Sequence, residues 1–171
     1  MTVGSVRAMA LRYSDLSVLY MDAHADLRDE YQGSAYNHAC TARRISEVCP
    51  VVLVGLRSLA AEEREAITAL RIPTFSRTAK PLSEEDRASV LECLTPHVYI
   101  SVDLDVLDPS LMSAVGTPEP GGLGWWELLG LLRMVGQHRT VVGFDIMELT
   151  PREGPVACAY TAAKLAYKLI G

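Results

Sequence analysis

What this chain can fold into is constrained most by its apolar runs, which are continuous where a surface strand would alternate. Residues 16–21 read LSVLYM and residues 51–55 read VVLVG; 97–104 and 140–146 are likewise apolar through their centres. Successive side chains of an extended chain face opposite sides, so a run without polar alternation is buried on both faces. Between these runs lie stretches with helical spacing, at 3–13, 38–48, 60–70, 83–94, 125–137 and 155–169, and a short extended piece at 72–75. Strands alternating with helices predict an α/β fold of three layers, a mainly parallel sheet covered by helices on both faces. At 171 residues, 49% of them hydrophobic, the chain suits a single domain over residues 1–171 with a substantial core.

In such folds ligands bind beyond the carboxyl ends of the strands, and acidic residues of this chain gather there. Asp22-Ala23-His24-Ala25-Asp26 follows the first run, and Ser101-Val102-Asp103-Leu104-Asp105 closes a later one. Alternation in an extended chain would put Asp22, His24 and Asp26 on one side, and likewise Asp103 with Asp105. Four carboxylates around one imidazole repel strongly unless cations neutralise them, which predicts a two-metal site. Hard carboxylate ligands, with little imidazole and no nearby thiolate, favour Mn²⁺ or Mg²⁺ over Zn²⁺. Two such ions about 3.5–4 Å apart hold a bridging hydroxide at neutral pH, the nucleophile of a hydrolysis.

Two further residues are drawn to this edge. His38 follows the loop that leaves Asp26, so a proton-shuttle role is expected of it before a plain helix N-terminal one. Glu148 lies just past the 140–146 strand and is expected to anchor a cationic group. Trp125 and Trp126 read as helix packing. His97 and His138 are expected to begin their strands at the opposite edge, about 20 Å of strand from the cluster, too far to ligate it.

Composition narrows the partners. With 21 acidic against 16 basic residues the net charge is −5, and no Lys/Arg cluster is present, so nucleic acid is excluded as an expected partner. A small cationic substrate fits better. Cys40, Cys49, Cys93 and Cys158 show no C-x-x-C spacing and read as reduced core thiols of a cytoplasmic protein. No signal peptide or run of membrane-spanning length is present, so no membrane role is expected.

The motifs together resemble the ureohydrolase (arginase/agmatinase) family. The resemblance rests on Asp22 to Asp26, on Ser101 to Pro109, on the loop Gly116-Thr-Pro-Glu-Pro-Gly-Gly122, and on Phe144-Asp-Ile-Met-Glu148-Leu-Thr-Pro151. The Thr-Pro-Glu-Pro-Gly-Gly form, with Asp29-Glu30-Tyr31 and Tyr36-Asn-His38-Ala, is more similar to agmatinases than to arginases. The resemblance implies an arginase-like fold and a Mn²⁺-dependent amidinohydrolase that converts agmatine to urea and putrescine. It implies that Asp22 and Asp103 bridge two Mn²⁺ ions, that His24 and Asp105 complete one, and that Asp26 serves the other. It further implies that Asp26 assists proton transfer to the leaving amine, that His38 shuttles protons, and that Glu148 pairs with the guanidinium. One metal histidine of the family, in a Gly-Gly-Asp/Glu-His-Ser motif, aligns just ahead of Met1 and is not in this sequence. The chain is therefore expected to be an N-terminally truncated member, its weaker ion held without that imidazole and its parent a homo-oligomer. The alternatives are a catalytically impaired fragment and a member acting on guanidinobutyrate or arginine.

Overall fold

A computed structural model describes residues 1–76 and 81–171. In chain order it contains α1 (Thr2–Ala10), β1 (Leu16–Met21), α2 (Thr41–Ser46), β2 (Val51–Val54), α3 (Ala61–Leu70), β3 (Thr74–Phe75), α4 (Glu84–Cys93), β4 (His97–Asp103), α5 (Trp125–His138), β5 (Thr140–Met147) and α6 (Val156–Ile170). The strands form a five-stranded sheet in the order β3-β2-β1-β4-β5, every neighbouring pair parallel. The order of strand addition reverses beside β1: β2 and β3 extend the sheet one way, β4 and β5 the other. The crevice of such a sheet lies where the order switches, and here β1 and β4 flank it.

Both faces of the sheet are covered, as the continuous apolar runs require. Leu19, Met21, Val52, Val54, Ile100 and Val102 join a core with α4, α5 and α6, represented by Val90, Leu128 and Leu165. Leu16, Val18, Tyr20, Val51 and Leu53 face the other way, onto Val6 of α1, Ala42 and Ile45 of α2, and Ile67 of α3. Every residue of β1 and β2 is buried. Each fully buried aliphatic side chain contributes roughly 1.5–3 kcal/mol, so the two central strands anchor the fold and give the site residues at their ends a rigid base.

Local boundaries depart from the sequence reading in informative places. The helix expected over 38–48 is a 3₁₀ turn, His38–Cys40, running into the short α2; Asn37 caps it by accepting from the Ala39 N–H. The first helix stops at Ala10. His138 does not begin a strand but ends α5, its Nδ1 2.8 Å from the Met134 carbonyl. Trp125 packs against the core as expected, whereas Trp126 is 74% exposed. β5 forms one edge of the sheet, and none of its eight residues is fully buried. A long apolar edge of this kind invites pairing with another strand.

Candidate metal centre

The acidic motifs reach one place by turning, not by staying extended. Asp22 leaves β1 with its N–H on the Val54 carbonyl (3.0 Å), and its Oδ1 accepts the His24 N–H at 2.6 Å, an Asx-type turn. Asp105 is likewise not in the strand: β4 ends at Asp103, and Leu104–Val106 form a 3₁₀ turn in which Asp103 Oδ1 accepts the Asp105 N–H at 3.0 Å. The extended-chain alternation expected for both motifs is thus replaced by two tight turns. A shared mechanism drives both: a short aspartate side chain satisfies the backbone N–H two residues on.

The turns interlock. Asp105 Oδ1 accepts the Ala23 N–H (3.1 Å), and Asp105 Oδ2 lies 2.9 Å from His24 Nδ1, which also lies 3.5 Å from Asp22 Oδ1. Ligand atoms of Asp22, His24 and Asp105 all sit within 4.8 Å of one another, close enough to hold one cation. Asp26 and Asp103 fall outside that trio but line the same cavity of about 610 Å³, together with His38, Glu63, Glu148, Arg28, Tyr31 and Thr117. A second cavity, of about 480 Å³, shares Asp26, His38, Asp103 and Glu148 with the first, with Met1–Gly4 and Tyr20 along it. Every site residue expected from sequence therefore borders the first cavity, His38 and Glu148 as exposed side chains at its rim. His97 pairs with Asp15 at 2.7 Å, at the amino end of β4 and remote from the cluster.

Two of these carboxylates are held on unusual backbone. Asp26 (φ 51°) and Glu148 (φ 64°) occupy the left-handed region, as do Gln32 and Arg71. For a non-glycine residue this costs on the order of 1–3 kcal/mol and collects at functional sites.

Several residues outside the expected ligand set position it. The Arg57 guanidinium donates to the carbonyls of Asp105 (2.6 Å) and Glu119 (2.8 Å) and to those of Gly55 and Pro120, tying the Asp105 turn to the 116–122 loop. Glu63, buried in the first turn of α3, accepts from the Leu27 N–H (3.0 Å) and the Ala60 N–H (2.8 Å), fixing the chain just after Asp26. Glu119 Oε1 approaches His24 Nε2 at 3.8 Å. Tyr20 donates its hydroxyl to Asp26 Oδ2 at 2.7 Å. Arg57 and Glu63 lie outside the motifs, and their contacts with Asp105, Glu119 and Leu27 join segments far apart in sequence. Asp108 accepts from Ser110 and from the Gly121 and Gly122 N–H groups. The Asp108-Pro109 pair thus serves loop closure.

That closure leaves no room at Gly122. A Cβ there would lie 2.3 Å from the Leu107 carbonyl carbon and 2.4 Å from the Asp108 nitrogen, both backbone atoms that cannot swing away. Gly122→Ala is expected to destabilise by about 2–3 kcal/mol, lowering the melting temperature by about 5–10 °C. An unchanged melting curve would show that the loop does not pack as described.

Electrostatically the cluster is short of positive charge. Burial, then repulsion from Asp22 and Asp105, pushes the Asp103 carboxyl up to about 10. Burial likewise raises Asp26 to about 7 and raises Asp22 well above the usual carboxylate range. His24, hydrogen-bonded to Asp105 and then Asp22, is raised to about 11. Burial opposes ionisation of Asp105 too, but the His24 contact outweighs it and holds that carboxyl below its ordinary value. Protons and an imidazolium thus occupy the role that divalent cations fill better, and a donor set of four carboxylate groups and one imidazole suits such ions.

A parallel α/β sheet with an acidic, cation-demanding centre at its carboxyl edge defines the class. Comparison with known proteins makes it specific. A model of the Arginase family matches residues 1–171, and the chain belongs to that family. It is 41% identical over 175 residues to the N(1)-aminopropylagmatine ureohydrolase of Synechocystis sp., covering 99% of this chain and 56% of that protein. It is 41% identical over 156 residues to the agmatinase of Pyrococcus horikoshii, covering 91% and 54%. Among solved structures, the agmatine ureohydrolase of Thermoplasma volcanium superposes with a TM-score of 0.86 at 34% identity, over 99% of this chain and 57% of the other. The proclavaminate amidino hydrolase of Streptomyces clavuligerus gives a TM-score of 0.89 at 30% identity, over 99% and 60%. The chain therefore spans a little over half the length of these relatives. Among the described residues no helix is long and apolar enough to cross a membrane.

Proposed function

We propose that this chain carries the catalytic residues of a Mn²⁺-dependent amidinohydrolase that cleaves agmatine to urea and putrescine. The observation that carries the reading is the meeting of Asp22, His24, Asp26, Asp103, Asp105, His38 and Glu148 around one cavity of about 610 Å³. In this reading Asp22, His24, Asp26, Asp103 and Asp105 would hold two Mn²⁺ ions, with Asp22 and Asp103 serving both, His24 and Asp105 one, and Asp26 the other. When bound, the ions would supply Lewis acidity and lower the pKa of water enough to make hydroxide available near neutral pH.

The chain's own groups do the rest. Glu148, at the rim, pairs with the planar guanidinium and turns its carbon toward the acidic centre. Asp26 accepts the proton released as water adds and passes it to the departing amine nitrogen. His38, exposed at the cavity mouth, shuttles other protons between the site and solvent, as when the next water is deprotonated. Water adds to the carbon, one C–N bond breaks, and urea and a primary amine leave. A cytoplasmic setting and a homo-oligomeric parent complete the proposal; the four cysteines are unpaired thiols.

A second reading concerns the substrate tail. Relatives 41% identical are named N(1)-aminopropylagmatine ureohydrolase, which favours a longer, doubly cationic tail beyond the guanidinium. Urea release from agmatine, N(1)-aminopropylagmatine, guanidinobutyrate and arginine, with added Mn²⁺, tests both readings. Selective turnover of agmatine supports the first, and selective turnover of the aminopropyl compound supports the second. A folded chain that binds Mn²⁺ yet releases no urea from any of them would leave a metal-binding but catalytically impaired fragment. Glu148→Gln is expected to raise KM for the preferred guanidino substrate by about 10–100-fold, with a smaller effect on kcat, since a charge-assisted pair loses its anionic partner. Unchanged kinetics would remove Glu148 from the site.

A further inference from the structure

Asp26 has a side-chain partner that borders the second cavity and does not line the first. Tyr20 lies in β1, facing α1 and α2 with Leu16 and Val18, and is 5% exposed. Its hydroxyl reaches Asp26 Oδ2 at 2.7 Å across the turn that the chain makes between them. The Asp26 main chain is pinned independently, its carbonyl accepting the Arg43 N–H at 3.0 Å and its φ held at 51°. One carboxylate oxygen, Oδ2, is thereby engaged by Tyr20, while Asp26 borders the cavity that holds the acidic centre.

We infer that Tyr20 is a positioning residue for the metal centre, holding Asp26 so that a single oxygen is presented to the ion it serves. The inference rests on the metal reading given above and extends it to a residue outside the ligand set. Ligating carboxylates are oriented by hydrogen bonds from behind, and losing such a partner lowers metal affinity about 10–100-fold. The bland alternative is that Asp26 merely satisfies a buried tyrosine hydroxyl. In that case removing the hydroxyl alters stability and leaves metal binding alone.

Mn²⁺ titrations followed by electron paramagnetic resonance separate the two, using the metal-free chain, Tyr20→Phe, Asp26→Ala and the double variant. The expected result is a loss of about 10–100-fold in the affinity of one class of site in Tyr20→Phe, with the other class changed less than about threefold. In the Asp26→Ala background Tyr20→Phe should add nothing, because Tyr20 acts through Asp26. p-Aminophenylalanine at position 20, with similar reach and a donor, should restore affinity. If Tyr20→Phe does not fold, p-fluorophenylalanine takes its place, filling the space of the hydroxyl without a donor. Unaltered affinity in a folded donor-free variant overturns the role of Tyr20 while the metal reading stands. A wild-type chain that binds no Mn²⁺ overturns both.

Discussion

An Asp103→Ala chain is expected to release no measurable urea from any guanidino compound that the unaltered chain hydrolyses. Asp103 ends β4 beside the Asp22–His24–Asp105 trio and borders both cavities. In the proposed assignment it is shared between the ions. Losing one preorganised transition-state contact already costs about 10²–10³-fold, and losing a shared ligand should exceed that, so a fall of at least about a thousandfold is anticipated. Mn²⁺ stoichiometry should fall with it. Stability should move the other way. The Asp103 carboxyl is raised to about 10 by burial and by its neighbours, so in the metal-free chain near pH 8 folding must protonate it, and its removal abolishes that cost. A metal-free Asp103→Ala chain should melt no lower than wild type at pH 8 and gain little from added Mn²⁺. Substantial turnover in this variant would sink the two-metal assignment.

Metal-free wild-type chain is expected to lose stability as pH rises from 5 to 8, contrary to most proteins rich in paired carboxylates. Asp103 moves from 3.8 unfolded to about 10 folded, Asp26 from 3.8 to about 7, and His24 from 6.5 to about 11. In each case the folded state binds the proton more tightly, so the stabilisation is complete below the unfolded value and disappears as pH climbs toward the folded one. Asp105, shifted downward, contributes the opposite slope only under more acidic conditions than this window. Allowing for mutual coupling, the loss between pH 5 and 8 is on the order of 3 kcal/mol, or about 6–12 °C in melting temperature. Saturating Mn²⁺ should flatten or reverse the trend, because cations then replace protons and their binding releases them. A melting temperature that is flat or rising with pH in the presence of a chelator would contradict the electrostatic picture of the site.

Much of this protein was legible from residue order. The continuous apolar character of residues 16–21 and 51–54 demanded burial on two faces, and β1 and β2 are buried at every position. Aspartates immediately after such strands had to lie at the carboxyl edge, because parallel strands expose their ends to one side. That argument brought Asp22, His24, Asp26, Asp103, Asp105 and Glu148 to one rim without any knowledge of how the loops run. It misjudged how they get there. An alternating extended chain was expected, whereas Asx hydrogen bonds from Asp22 and Asp103 curl both motifs into turns. Trp126, expected to pack, is exposed because α5 turns that position outward from the sheet.

By itself, then, the sequence determined the layer architecture, the edge where chemistry could occur and the hard-ligand character of that edge, since hydrophobic periodicity and side-chain charge are local properties. Only the tertiary structure decided which groups support the cluster. Tyr20 meets Asp26 because the turn between them folds back, whereas Glu119 beside His24, Arg57 bridging the Asp105 turn to the 116–122 loop and Glu63 under the turn after Asp26 are contacts between segments distant in sequence. Their geometry follows from sheet order and strand register, which set distances of a few ångströms between residues that no local pattern relates.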